Sequence, residues 1–150
     1  MDLPRIDSRS VEVDAPAAFA WQALIDWMAD SSQVQLRTRF AGLLGCEPLQ
    51  RTGQPGAPGS TIPGFRVTRS VPPHELALEG GHRFSDYSLR FDIEPRGGRS
   101  LCTATTHAAF PGLSGQLYKT AVIRSQAHRL LMKRLLDQLA RRARDAKLSS

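Results

Sequence analysis

The sequence predicts an α+β fold in which a curved antiparallel sheet wraps around one long C-terminal helix, with two short helices after the first strand. Two observations carry this expectation. The stretches FRV, ELALEG, HRFSDYSLRFDIEP and SLCTATTHAAF read as consecutive strands separated by PP, GG and PRGG turns, and strands joined by such short turns must be antiparallel. After Pro111 and Gly112 the apolar spacing changes to that of a helix and holds to about Arg144. A lone amphipathic helix of that length needs one curved sheet to cover it.

Taken in order, RSVEV (residues 9–13) alternates Val11 and Val13 against Glu12 and predicts the first strand. DAP follows. Asp14 can cap a helix start and Pro16 suits its first turn, where no N–H is needed. This helix is expected to run to about Met28, with Phe19, Ala23, Leu24 and Trp27 inward and Gln22, Asp26 and Asp30 as its polar stripe. A second, shorter helix is expected over Gln35 to Leu44. Residues 48–64 then hold four Gly and four Pro, which argues against a regular element across the segment. Two readings stand for this loop: a disordered or incidental connection, or a lid over a binding site.

The stretch HRFSDYSLRFDIEP (82–95) poses a register question. Tyr87, Leu89, Phe91 and Ile93 share one parity, whereas His82 and Phe84 have the other. A bulge at Ser85 and Asp86 would bring all six to the concave side; alternatively His82 sits in a turn near solvent. In LCTATTHAAF the small set Cys102, Ala104, Thr106, Ala108 and Phe110 is the favoured inward parity, which turns His107 outward. On the last helix Leu117, Ala121, Ser125, His128, Met132, Leu135 and Leu139 fall on one side, with Tyr118, Val122 and Leu136 at its margin.

A chain of 150 residues is long enough for one buried core and short for two, so residues 1–150 are read as a single domain ending in a disordered tail from about 145 to 150. No apolar run approaches the length of a membrane span, and MDLPRIDSRS lacks a secretory h-region, so a cytoplasmic location is expected. Cys46 and Cys102 are then two reduced thiols. Richness in Arg, Ala and Gly hints at a GC-rich bacterial genome. The formal net charge is +6, yet nine basic residues between Lys119 and Lys147 against Asp137 and Asp145 give +7 on that segment alone. This reads either as a solvated helix face or as a surface for an anionic partner or a second copy in a homodimer; no nucleic-acid-reading module accompanies it.

VEVDAPAAFAWQALIDW, FRVTRSVPPHELALEG, YSLRFDIEP and FPGLSGQLYKTAVIRSQAHRLLMKRLLDQL together resemble the helix-grip fold of the START-like, or SRPBCC, superfamily, which includes polyketide cyclases, pollen-allergen-like proteins and lipid-transfer domains. The likeness covers most of the chain outside residues 30–64; the Pro/Gly stretch departs from it, with no second or third strand assigned there. The resemblance implies a cavity between sheet and last helix that holds an apolar or amphipathic small molecule.

No CxxC, HExxH or GxSxG is present, and GQPGAPGST lacks the Lys of a phosphate loop. The four His show no local metal spacing, so neither metal nor cofactor is assigned. Within the expected cavity His82, Tyr87, Tyr118 and His128 would orient the ligand, and Phe84, Leu89, Phe91, Leu117 and Met132 would line it. His128 has two readings, a satisfied core histidine or a ligand contact and proton donor. The function expected first is small-molecule binding. A polyketide-cyclase-like reaction with His82 or His128 as general acid or base, and an interaction module built on the basic helix, are the alternatives.

Overall fold

The computed structural model of the chain describes residues 3–30, 52–82, 85–110, 112, 116, 117, 119, 120 and 127–150, without the side chains of His82, Ala127 and His128. Strand β1 (Arg5–Val13) leads into helix α1 (Ala17–Ala29), and β2 (Thr61–Ile62), β3 (Phe65–Val71), β4 (Glu75–His82), β5 (Ser85–Arg96) and β6 (Arg99–Ala109) precede the C-terminal helix α2 (Ala127–Ser149). The six strands form one antiparallel sheet in the order β1-β6-β5-β4-β3-β2. The expected helix over Gln35 to Leu44 lies outside the described residues. Helix α2 continues to Ser149, past the expected end near Arg144 and through the tail expected to be disordered.

Helix α1 starts without the predicted Asp14 cap. Pro16 holds the cap position with no side-chain hydrogen bond, and its carbonyl accepts from the amides of Phe19 and Ala20. Asp14 instead faces Arg99 at 3.5 Å. Ala17, Ala20, Ala23, Leu24, Trp27 and Met28 are buried, while Gln22 donates to Asp26 along the outer stripe. Asp30, which ends the helix, pairs with Arg142 of α2 at 3.2 Å.

The Pro/Gly stretch, described from Thr52, is built of turns. Ala57 N–H donates to Gln54 C=O and Ser60 N–H to Ala57 C=O, closing QPGA and APGS in succession. Each has Pro second and a positive-φ Gly third (Gly56 at 81°, Gly59 at 83°), the pattern that type II turns require. IPGF repeats the pattern with Gly64 at 86° and joins β2 to β3, Ile62 pairing with Phe65. Thr52 pairs with Thr61, their hydroxyls 2.7 Å apart. Gly56 is buried against Ile25 of α1, whose Cδ1 a Cβ would overlap.

The parity change near residue 85 is a chain reversal, and neither sequence reading of it survives whole. His82 pairs with Ser85 across a two-residue connection, and β5 continues without a bulge. The expected turn at Gly80 and Gly81 is absent because β4 runs through both. Alternation resets wherever the chain folds back, so opposite parities on the two sides belong to two strands sharing one face. The inward parity of β6 is as expected, with Cys102, Ala104, Thr106 and Ala108 buried.

Trp27, Leu24 and Met28 of α1, Leu135, Leu136, Leu139 and Ala143 of α2, and Val13, Leu76, Phe91 and Ile93 of the sheet form one core. Ser100, 2 % exposed, donates to Ala15 C=O at 2.9 Å and ties β6 to the β1–α1 connection, so its buried hydroxyl is satisfied.

Cys102 lies in this core opposite Val11 and Ile93. Burial lifts its thiol from the ordinary value of 9.0 to about 12, and the Asp92 carboxylate adds to the shift. A raised folded value favours the protonated thiol, so this contribution to stability is complete below pH 9 and is lost as pH rises towards 12. Two outcomes are expected. In the folded protein Cys102 resists iodoacetamide and reacts after urea unfolding; and between pH 8 and 10.5 the wild type loses about 2 kcal/mol more stability than Cys102→Ala. Urea titrations at the two pH values check the second, and equal losses would contradict it.

Candidate functional site

The concave face of the sheet is the candidate site, and its two ends differ. At the α1 end large side chains meet: the Trp27 and Phe91 rings pack edge to face, centroids 6.2 Å apart at 66°, and Met132, Leu135, Leu136 and Leu139 are buried on α2. Along β6 the inward positions stay small, with Ala104 beside Phe91, Thr106 beside Leu89 and Ala108 beside Tyr87, and at the far end β5 starts with Ser85 while the Gly64 carbonyl covers Gly80 of β4.

Of the nine residues expected to form the site, Leu89, Phe91 and Met132 are brought together in the core. Tyr87 is half-buried. Its hydroxyl donates to Gly64 C=O at 2.7 Å and its ring meets Phe65 edge-on at 5.2 Å, so this polar tip holds the β2–β3 turn. Leu117 does not line the site: it is 75 % exposed. Its expected placement extrapolated one helical phase back from Met132, and periodicity assigns residues to a face without showing how far the sheet reaches to cover it. Phe84, Tyr118 and the side chains of His82 and His128 lie outside the described residues.

The sequence reading missed two residues. Arg9 and Asp7 of β1 pair with Ala104 and Thr106, the inward set of β6. The parity of Val11 and Val13 carries both inward, but Asp7 lies before the strand expected over residues 9–13, and a charged residue on an apolar parity gives no periodic signal. Arg9 is half-buried, and its Nε is shielded from solvent with no hydrogen-bond partner among the described residues.

Two open depressions occur among the described residues away from the concave face. One of about 260 Å³ lies between α1 and α2 beside Phe19, Ala23 and Arg142; another of about 180 Å³ lies on the outer sheet face beside Ala77, Ser88 and His107. No group of three or more His, Cys, Asp or Glu among the described residues could hold a metal ion. On α2, Leu130 and Leu131 are exposed among Arg129, Lys133 and Arg134. No helix among the described residues is long and apolar enough to cross a membrane.

No family model matches the chain, and no curated protein matches it in sequence. Solved structures do match. A START superfamily protein from Mycobacterium smegmatis is 17 % identical over 91 % of this chain and 98 % of its own, with a TM-score of 0.53. A conserved protein from Geobacillus kaustophilus is 16 % identical over 91 % and 93 %, at 0.55. Truncated norcoclaurine synthase from Thalictrum flavum is 12 % identical over 93 % and 95 %, at 0.54. At these identities the likeness is one of architecture: the chain has the START-like helix-grip fold, with the sheet curved around its terminal helix.

Proposed function

We propose that the protein binds an apolar or amphipathic small molecule between the concave face of its sheet and α2. The observation that carries this reading is the makeup of that face: its inward residues are bulky along β5 and α2, whereas along β6 they stay small from Cys102 through Ala104 and Thr106 to Ala108. A mostly apolar surface with a few polar groups at its margin is the usual makeup of a small-molecule site. Apolar burial supplies the affinity, about 0.8 kcal/mol per methylene removed from water, and the polar margin supplies orientation.

The neutral fluorophore N-phenyl-1-naphthylamine tests this directly. Saturable enhancement at one molecule per folded chain is expected, abolished by unfolding in urea. A native mass spectrum of protein purified from its host should show an excess mass that disappears on denaturation. A chain that gives neither signal does not bind in this way.

A further inference from the structure

We propose that Arg9 is the head-group residue of this site and that the ligand it takes is an apolar molecule ending in a carboxylate; the inference rests on the binding reading above. The register places Arg9 opposite Ala104, and across the sheet that row continues through Phe91 and Leu76, all at most 2 % exposed. The row is core except at its β1 end, where a guanidinium stands. Being on an edge strand, Arg9 combines an inward position with access from the open side of the sheet.

Burial together with the lack of an ion pair separates Arg9 from the other arginines that flank the sheet: Arg5 and Arg66 also lack one among the described residues, but both are exposed, whereas Arg9 is half-buried. Arg69, Arg90, Arg96 and Arg99 pair with carboxylates on exposed ground, and Arg142 pairs with Asp30. Among the described residues Arg9 has no such partner; Asp7, two residues along the same face, is not within ion-pair distance. Burial strengthens a hydrogen bond to a charged group, and the planar guanidinium fork matches a carboxylate in two parallel bonds. Because Arg stays charged at any ordinary pH, the preference is for an ionised acid. The tail of such a ligand would run along β6 over Ala104, Thr106 and Ala108, the small and buried inward positions of that strand.

The test displaces N-phenyl-1-naphthylamine from the full chain with decanoate and with decan-1-ol, which share a tail and differ in the head group. Wild type is expected to bind decanoate about 10- to 100-fold more tightly, the range for a charge-assisted hydrogen bond. Arg9→Met should remove most of that ratio while lowering decan-1-ol affinity far less than decanoate affinity, since the uncharged alcohol oxygen cannot accept the guanidinium's two parallel charge-assisted bonds. Equal affinities in wild type, or a ratio that Arg9→Met preserves, overturn the role of Arg9 and leave the binding reading standing, because both ligands still bind. No fluorophore binding and no displacement overturn both. Should Arg9→Met fail to fold, Arg9→Lys keeps the charge without the fork and should lower the ratio; an unchanged ratio counts against the proposal.

Discussion

Phe91→Ala is expected to lower the free energy of unfolding by about 3–5 kcal/mol, because removing a buried aromatic side chain forfeits its transfer energy and leaves a cavity. Phe91 is fully buried in the middle of β5, paired with Leu76 on one side and Ala104 on the other, under the edge of Trp27. None of these neighbours can collapse into the gap without moving the sheet or α1. A domain of this size has roughly 5–15 kcal/mol in all, so the variant should sit near its unfolding threshold at ambient temperature. Urea titration followed by tryptophan fluorescence measures the loss, Trp27 being one of only two tryptophans and in direct contact with the missing ring. A loss below about 1 kcal/mol would mean that the site relaxes freely and that this end of the concave face is not closed by packing.

Gly80→Ala is expected to cost about 2–4 kcal/mol, although alanine normally suits a strand interior better than glycine by up to about 1 kcal/mol. The sign is decided by what stands over Gly80. A Cβ there would overlap the carbonyl oxygen of Gly64 and approach the Tyr87 ring to 2.9 Å, and the oxygen belongs to backbone that cannot turn aside. That oxygen accepts the Tyr87 hydroxyl, so displacing the Gly64 turn also breaks a half-buried hydrogen bond worth about 1 kcal/mol. Gly98→Ala is the matched control: a Cβ there meets nothing within 4 Å, and its effect should stay within about 0.5 kcal/mol. Hydrogen exchange should show faster opening at Gly59 and Val67, whose amides link the Pro/Gly turns to β3, in Gly80→Ala alone. Equal stability of the two variants would show that the turn is not seated on β4.

Much of the architecture was legible before any coordinates. Period-two spacing in YSLRFDI and in LCTATTHAAF located β5 and β6 and the inward face of each, because a half-buried strand must alternate. The apolar positions of α1 and the C-terminal stripe at Met132, Leu135 and Leu139 were legible for the same reason at helical period. The candidate site was legible only in part. Leu89, Phe91 and Met132 are buried in the core on the faces their spacing assigns, but the Tyr87 hydroxyl is committed to Gly64 C=O, Leu117 is exposed, and the charged Arg9 at the start of β1 carries no periodic signal.

These outcomes divide along a physical line. Local sequence determined what depends on one element and water: which residues alternate, where Pro and Gly must turn the chain, and which face of each strand or helix is apolar. Tertiary structure alone decided what depends on a second segment far along the chain. It decided that residue 85 begins a new strand rather than a bulge, because the pairing of β4 with β5 over their whole length, out to Glu75 with Asp92, selects the register at the hairpin. It decided that Gly80 runs through β4 under Gly64, and that the Arg9 guanidinium rises beside Ala104, ninety-five residues away in sequence. A hydrogen bond or a steric overlap needs two partners, and periodicity records only one of them.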